Sequence, residues 1–249
     1  MQDKPSLPPK PVSESWRPEL VRLPQMTFAR RAFRAFSHGF LKLITKICLN
    51  VTAEGVENFP SKGPLLVVIN HIGDADVPAI ISALPFPPDA LGKIELYDLP
   101  ILGKLIDWYG VIWLHRGRAD ISALRAALDG LAEGCVLMIA PEGRYSVTGA
   151  LEEGNGGAAF LAYKSGAPIL PIAISGTENE NVYGNMKRMR RARVHVKVGK
   201  MFRLDEQAGS GVLTRSGTKD RQEAVAQGTR QIMAALANLL PEKYRGEYS

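Results

Sequence analysis

His71 and Asp76 stand five residues apart in the segment NHIGDAD, and a histidine with a carboxylate at that spacing is a candidate general base. A neutral imidazole takes up a proton near neutral pH. A carboxylate that accepts its other ring N–H fixes the tautomer and the orientation. Asp76 also precedes Val77-Pro78, a position suited to capping a helix. The spacing recurs at His115 and Asp120 in HRGRAD, where Asp120 reads as the N-cap of a helix starting at Ile121. Spacing alone therefore does not choose between the pairs. Arg116, and Arg144 in the turn Pro141-Glu142-Gly143-Arg144, add planar guanidinium groups that can give a phosphate two hydrogen bonds at once. A solvated surface role is the alternative for both arginines.

These residues must be positioned by the elements around them. The runs PLLVVIN at 64–70, CVLMIA at 135–140 and ILPIAI at 169–174 are short and continuously apolar, the pattern of strands buried on both faces. His71 follows the first and the turn 141–144 follows the second. Both thus stand at the carboxyl end of a strand, where α/β proteins place reactive groups. The pattern predicts helices over 77–84, 101–109, 121–132, 157–165 and about 220–240, with strands at 111–114 and at the alternating 193–198. Strands alternating with helices predict a single α/β domain, residues 54–249, with a mainly parallel β-sheet flanked by helices.

Ahead of it, residues 1–26 carry six prolines and read as an irregular leader without an apolar secretory core. Residues 27–53 form a different unit. Phe33, Phe36, Phe40, Ile44, Ile47 and Val51 recur at spacings of three or four, while Arg31, Arg34, Lys42 and Lys46 fall on the other side. No acidic residue occurs from 22 to 52. An N-terminal amphipathic helix with an apolar and a basic face suits an anionic lipid surface. Packing on the protein's own core would explain the apolar face but not the missing acids. No run of about 18 apolar residues is present to span a bilayer, and the net charge of +6 favours polyanionic partners.

The order of segments decides between the two His/Asp pairs. NHIGDAD, KIELYDLPILG with GVIWLHRGR, APEGRYSVTGAL and GAPILPIAISG resemble, in sequence order, the four motif blocks of the glycerolipid acyltransferases. That family includes the 1-acylglycerol-3-phosphate acyltransferases. The resemblance covers residues 50–200 and implies His71 and Asp76 as the catalytic pair of an HX4D motif. It implies substrate-binding roles for Asn70, Arg116, Glu142, Gly143, Arg144 and Pro171 around the acceptor's phosphate and glycerol. The implied reaction moves a fatty acyl group from an acyl thioester, coenzyme A or acyl carrier protein, to the hydroxyl of a lysophospholipid. No metal or tightly bound cofactor is implied, and the acyl carrier is a co-substrate. The expected setting is the cytoplasmic side of a membrane, peripheral or monotopic. One departure concerns the third block, which reads Glu142-Gly143-Arg144-Tyr145 where the family usually has Glu-Gly-Thr-Arg. It bears on the acceptor, for which glycerol 3-phosphate or an amino-acid lipid are alternatives.

Other chemistries find less support. There is no G-x-S-x-G elbow and no Walker A loop. The stretch GNGGAA at 154–159 matches a relaxed dinucleotide pattern but follows ALEE, which is no buried strand. The basic run KRMRRARVHVK at 187–197 is the strongest nucleic-acid cue, yet it holds no aromatic residue for base stacking. A non-catalytic membrane-binding or RNA-binding protein remains the alternative from another class; nucleic acid is not the expected partner. Cys48 and Cys135, the two cysteines, lack metal-type spacing.

Overall fold

A computed structural model describes residues 7–117, 120–205 and 218–249. Seven strands form one sheet in the order β1-β7-β6-β2-β5-β3-β4. The central strands are β2 (Leu65–Ile69), β5 (Val136–Ile139) and β6 (Ile169–Ser175), all parallel. Beyond β5 lie β3 (Asp89–Lys93) and β4 (Ile112–Leu114), also parallel. On the other side β7 (Ala192–Val198) runs antiparallel to β6, and β1 (Leu49–Glu54) closes that edge parallel to β7.

The continuous apolar runs are strands buried on both faces because each residue of the pair feeds a different core. Leu66 and Val68 of β2 join the core under α4 (Ile121–Ala132), α5 (Gly157–Ser165) and α7 (Thr218–Leu239). Leu65, Val67 and Ile69 join the core under α2 (Asp76–Ala83) and α6 (Asn179–Lys187). α3 (Leu102–Tyr109) covers the β3–β4 end, where Trp113 and Ile94 are fully buried. β7 alternates buried valines with exposed Arg193, His195 and Lys197, so its basic residues form the outer face of an edge-region strand.

α1 (Phe28–Cys48) packs on α2, and its phase differs from the expectation. The helix ends at Cys48, and Val51 belongs to β1, where β-branched Val51 and Thr52 pair with Val194 and His195. Its inward side carries Arg34, buried on Asp89 at 2.6 Å and stacked over the Tyr109 ring at 4.7 Å. His38 meets the carbonyls of Ile81 and Leu84, and Thr45, two turns further along the helix, is buried. Phe33 packs edge-on against Trp108, with ring centroids 5.7 Å apart. The expected lipid-facing positions of Phe33 and Arg34 are therefore corrected: both are held by the protein. Phe36, Phe40, Leu43 and Ile47 point out, with Phe36 68% exposed.

The leader is irregular apart from a 3-10 turn at Pro18–Leu20, but it is not loose. It runs over the loops that follow β4 and β5 and is bonded to both.

Candidate active site

β2 delivers His71 to the carboxyl edge of the sheet, and the turn after it closes on Asp76. Asp76 Oδ2 accepts three bonds: from His71 Nδ1–H at 2.7 Å, from the Ile72 N–H at 2.7 Å and from the Gly73 N–H at 2.9 Å. Asp76 is the first residue of α2 and makes no capping bond to that helix. Its carboxylate turns back to fix the loop and the imidazole, so the capping role is absent. With Nδ1–H given to Asp76, Nε2 keeps its lone pair, which is what a general base requires.

The second pair has the same contact and a different environment. His115 Nδ1–H lies 2.7 Å from Asp120 Oδ2, but His115 Nε2 already accepts the Arg17 N–H at 2.9 Å. The His115 side chain is fully buried, against 21% exposure for that of His71. Asp120 also caps α4 by accepting from the Ala123 N–H. Buried, and with Nε2 engaged by the Arg17 N–H, His115 is out of a substrate's reach.

Glu142, at the end of β5, braces the catalytic turn. Its Oε2 accepts the His71 N–H at 3.0 Å, and its Oε1 accepts the Glu152 N–H at 2.9 Å. Burial, with some help from the Glu152 charge, pushes its carboxyl up to about 7, against the pull of those two N–H groups. Gly143 follows with φ +71 and sits on Asn155, whose amide donates to the Glu142 carbonyl. A side chain there would meet Asn155 in a backbone conformation that favours glycine. The Ser146 N–H donates to the His71 carbonyl at 2.7 Å, tying the third block directly to the first.

Several residues assigned to substrate binding are engaged elsewhere. Asn70 is buried, donating to the Ile174 carbonyl and accepting the Ile174 N–H, so it stitches β2 to β6. Pro171 is opposite Val68 inside the sheet, where its carbonyl accepts the Gly199 N–H. Neither reaches the space beside His71. Arg144 is buried, with Nε and Nη2 on Glu152 at 2.9 and 2.7 Å and Nη1 on the Pro8 carbonyl at 2.6 Å. Arg116 pairs loosely with Glu95 at 3.5 Å, while its buried Nε has no hydrogen-bond partner.

Tyr145 beside His71, and Lys93 beside Tyr145, were not singled out from the sequence. The Tyr145 ring stands edge-on to His71 at 4.2 Å, and burial together with Asp74 pushes its phenol well above the ordinary value. It therefore stays a neutral donor. Lys93, at the end of β3, places Nζ 5.6 Å from the Tyr145 ring centroid. The signal was the third-block departure, which puts a tyrosine where the family usually has arginine.

A mainly parallel sheet with a solvent-reachable, carboxylate-held histidine at its carboxyl edge defines an α/β protein with a candidate general base. The chain belongs to the Acyltransferase family, whose model matches residues 50–175. It is 30% identical over 151 residues to the chloroplastic 1-acyl-sn-glycerol-3-phosphate acyltransferase of Arabidopsis thaliana, covering 58% of this chain and 42% of that protein. It is 32% identical over 113 residues to the lyso-ornithine lipid O-acyltransferase of Pseudomonas aeruginosa, covering 45% of this chain and 43% of that protein. The chain thus spans less than half the length of these two relatives. The crystal structure of the 1-acyl-sn-glycerophosphate acyltransferase of Thermotoga maritima shares the fold, with a TM-score of 0.57 at 23% identity over 83% of this chain and 84% of that one.

Proposed function

We propose that the protein transfers a fatty acyl group from an acyl thioester to the hydroxyl of a lysophospholipid, 1-acylglycerol 3-phosphate first, giving phosphatidic acid. The observation that carries this is the His71–Asp76 pair, held at 2.7 Å with Nε2 free of hydrogen bonds among the described residues. His71 Nε2 removes the proton from the acceptor hydroxyl as its oxygen attacks the thioester carbonyl. Asp76 balances the imidazolium that forms. Collapse of the tetrahedral intermediate expels the thiolate, which takes a proton, and the ester is formed. Lys93, whose Nζ lies 5.6 Å from the Tyr145 ring centroid, is a cation suited to the acceptor's phosphate. The test is release of free coenzyme A from acyl-coenzyme A against a panel of lysolipids. No release with any of them overturns the reading.

An amino-acid lipid acceptor is the second reading. It is favoured by the likeness to the lyso-ornithine lipid enzyme and by an Arg144 already occupied by Glu152. The same panel separates the two.

The reading also places the protein on a membrane. α1 packs Phe33 and Leu41 inward beside Arg34, His38 and Thr45, and leaves Phe28, Phe36, Phe40, Leu43 and Ile47 outward, an apolar stripe that its own core packing does not use. Leu102, Leu105 and Trp108 of α3 are exposed too, on the helix that packs beside it. No helix among the described residues is long and apolar enough to cross a bilayer. Co-sedimentation with vesicles tests this, and equal recovery of wild type and a Phe36/Phe40 variant would contradict it.

A further inference from the structure

The leader is bonded to the backbone of Arg116 and to the guanidinium of Arg144, the two arginines that the motif blocks assign to an anionic head group. The Ser13 N–H donates to the Arg116 carbonyl at 3.0 Å, and Ser13 Oγ accepts the Arg116 N–H at 2.8 Å. The Pro8 carbonyl takes Arg144 Nη1. Between these points Lys10 Nζ donates to the Glu153 carbonyl at 2.7 Å. These contacts are to the loops that follow β4 and β5 at the carboxyl edge, and the second loop is bonded to His71 through Ser146.

Two further observations show what holds the segment and what it leaves unsatisfied. The buried His115–Asp120 pair serves as its anchorage: His115 Nε2 accepts the Arg17 N–H and the Trp16 ring lies 4.3 Å from the imidazole. Arg116 Nε is buried with no hydrogen-bond partner, as are both Glu95 carboxylate oxygens, which lie 3.5 Å or more from the guanidinium. A closed state that leaves a guanidinium N–H unpaired is easily exchanged for one in which an anion supplies the bond.

We propose that residues 8–17 are a gating strap over the acceptor end of the site, latched on His115 and displaced when the acceptor's anionic head group reaches Arg116 and Arg144. The proposal rests on the acyl-transfer reading above. A binding-competent state populated only in part weakens apparent affinity by that fraction, so the strap selects for acceptors whose head group repays its displacement.

Hydrogen exchange on the wild-type protein tests this without a variant. The amides of Ser13 and Arg17 report the strap directly. Micellar 1-acylglycerol 3-phosphate should speed their exchange on the order of tenfold, and monoacylglycerol of the same chain should not. Unchanged or slowed exchange with the phosphate lipid overturns the proposal. In turnover, Ser13→Ala/Trp16→Ala should lower the acceptor KM on the order of tenfold and leave the acyl-donor KM within about twofold. An acceptor KM that rises or stays the same contradicts it. Wild type that releases no coenzyme A with any lysolipid would sink the acyl-transfer reading instead, and the exchange result would still stand on its own.

Discussion

Glu142→Gln keeps the shape of the buried side chain and changes one oxygen into an NH2. The carboxylate now receives two N–H groups, those of His71 and Glu152, one on each oxygen. An amide has a single acceptor oxygen, so one of those N–H groups must face a donor. Losing a bond to a charged group costs about 1.5–3 kcal/mol. The opposing effect is relief from a buried charge. Folding raises this carboxyl from 4.5 to about 7, so the folded state binds the proton more tightly than the unfolded one. Glu142 therefore favours the fold fully below its unfolded value, and that contribution is lost as pH rises through about 7, amounting to roughly 3 kcal/mol. Urea unfolding of both proteins from pH 5 to 8 should show wild type losing stability relative to the variant across that window. At pH 7.5 the variant should turn over about tenfold more slowly with both KM values within about twofold, because the base is displaced while substrate contacts remain. Parallel stability curves, or a selective rise in acceptor KM, would refute the bracing role.

Arg34→Leu leaves the half-buried Asp89 without its partner and should cost about 2–4 kcal/mol in urea unfolding, whereas Arg31/Lys42/Lys46→Gln should unfold like wild type and lose preference for anionic vesicles. Asn70→Ala removes the partner of both Ile174 backbone groups and should cost about 2–4 kcal/mol, with acceptor KM unmoved in the folded fraction. Phe36→Ser/Phe40→Ser should weaken binding to neutral and anionic vesicles alike while the unfolding midpoint stays within error, since both rings are already exposed.

The buried strands were legible because each carries an uninterrupted apolar run bounded by turn residues. α4 and α5 were legible at both ends: Asp120 caps one, and Gly166 with φ +64 stops the other. β3 was not, because DALGK alternates nothing and makes room at Gly92 for Val111 and Trp113. β1 was absorbed into the helix pattern, since Val51 falls on the right spacing by coincidence. α6 was not foreseen either, having only Val182 buried to mark a face. The phase of α1 could not be read from its own residues: periodicity gives a stripe, and which stripe faces inward depends on Asp89, far along the chain. In the site, the ordered motif blocks singled out His71 and Asp76 from two pairs of equal spacing, and of the two histidines His71 is the one whose Nε2 is not engaged by the leader. The bonds that Asn70, Pro171 and Arg144 make in the fold were not legible, because their partners lie far away in sequence or in the leader.

The central claim is that His71 and not His115 is the base. Its most direct test is free coenzyme A release by His71→Ala and His115→Ala side by side, each normalised to the folded fraction from unfolding curves. His71→Ala should fall by roughly a hundredfold or more. His115→Ala should retain most of its turnover per folded molecule while unfolding more readily, since it empties a fully buried, hydrogen-bonded site. Equal loss in both folded variants, or loss confined to His115→Ala, would contradict the account.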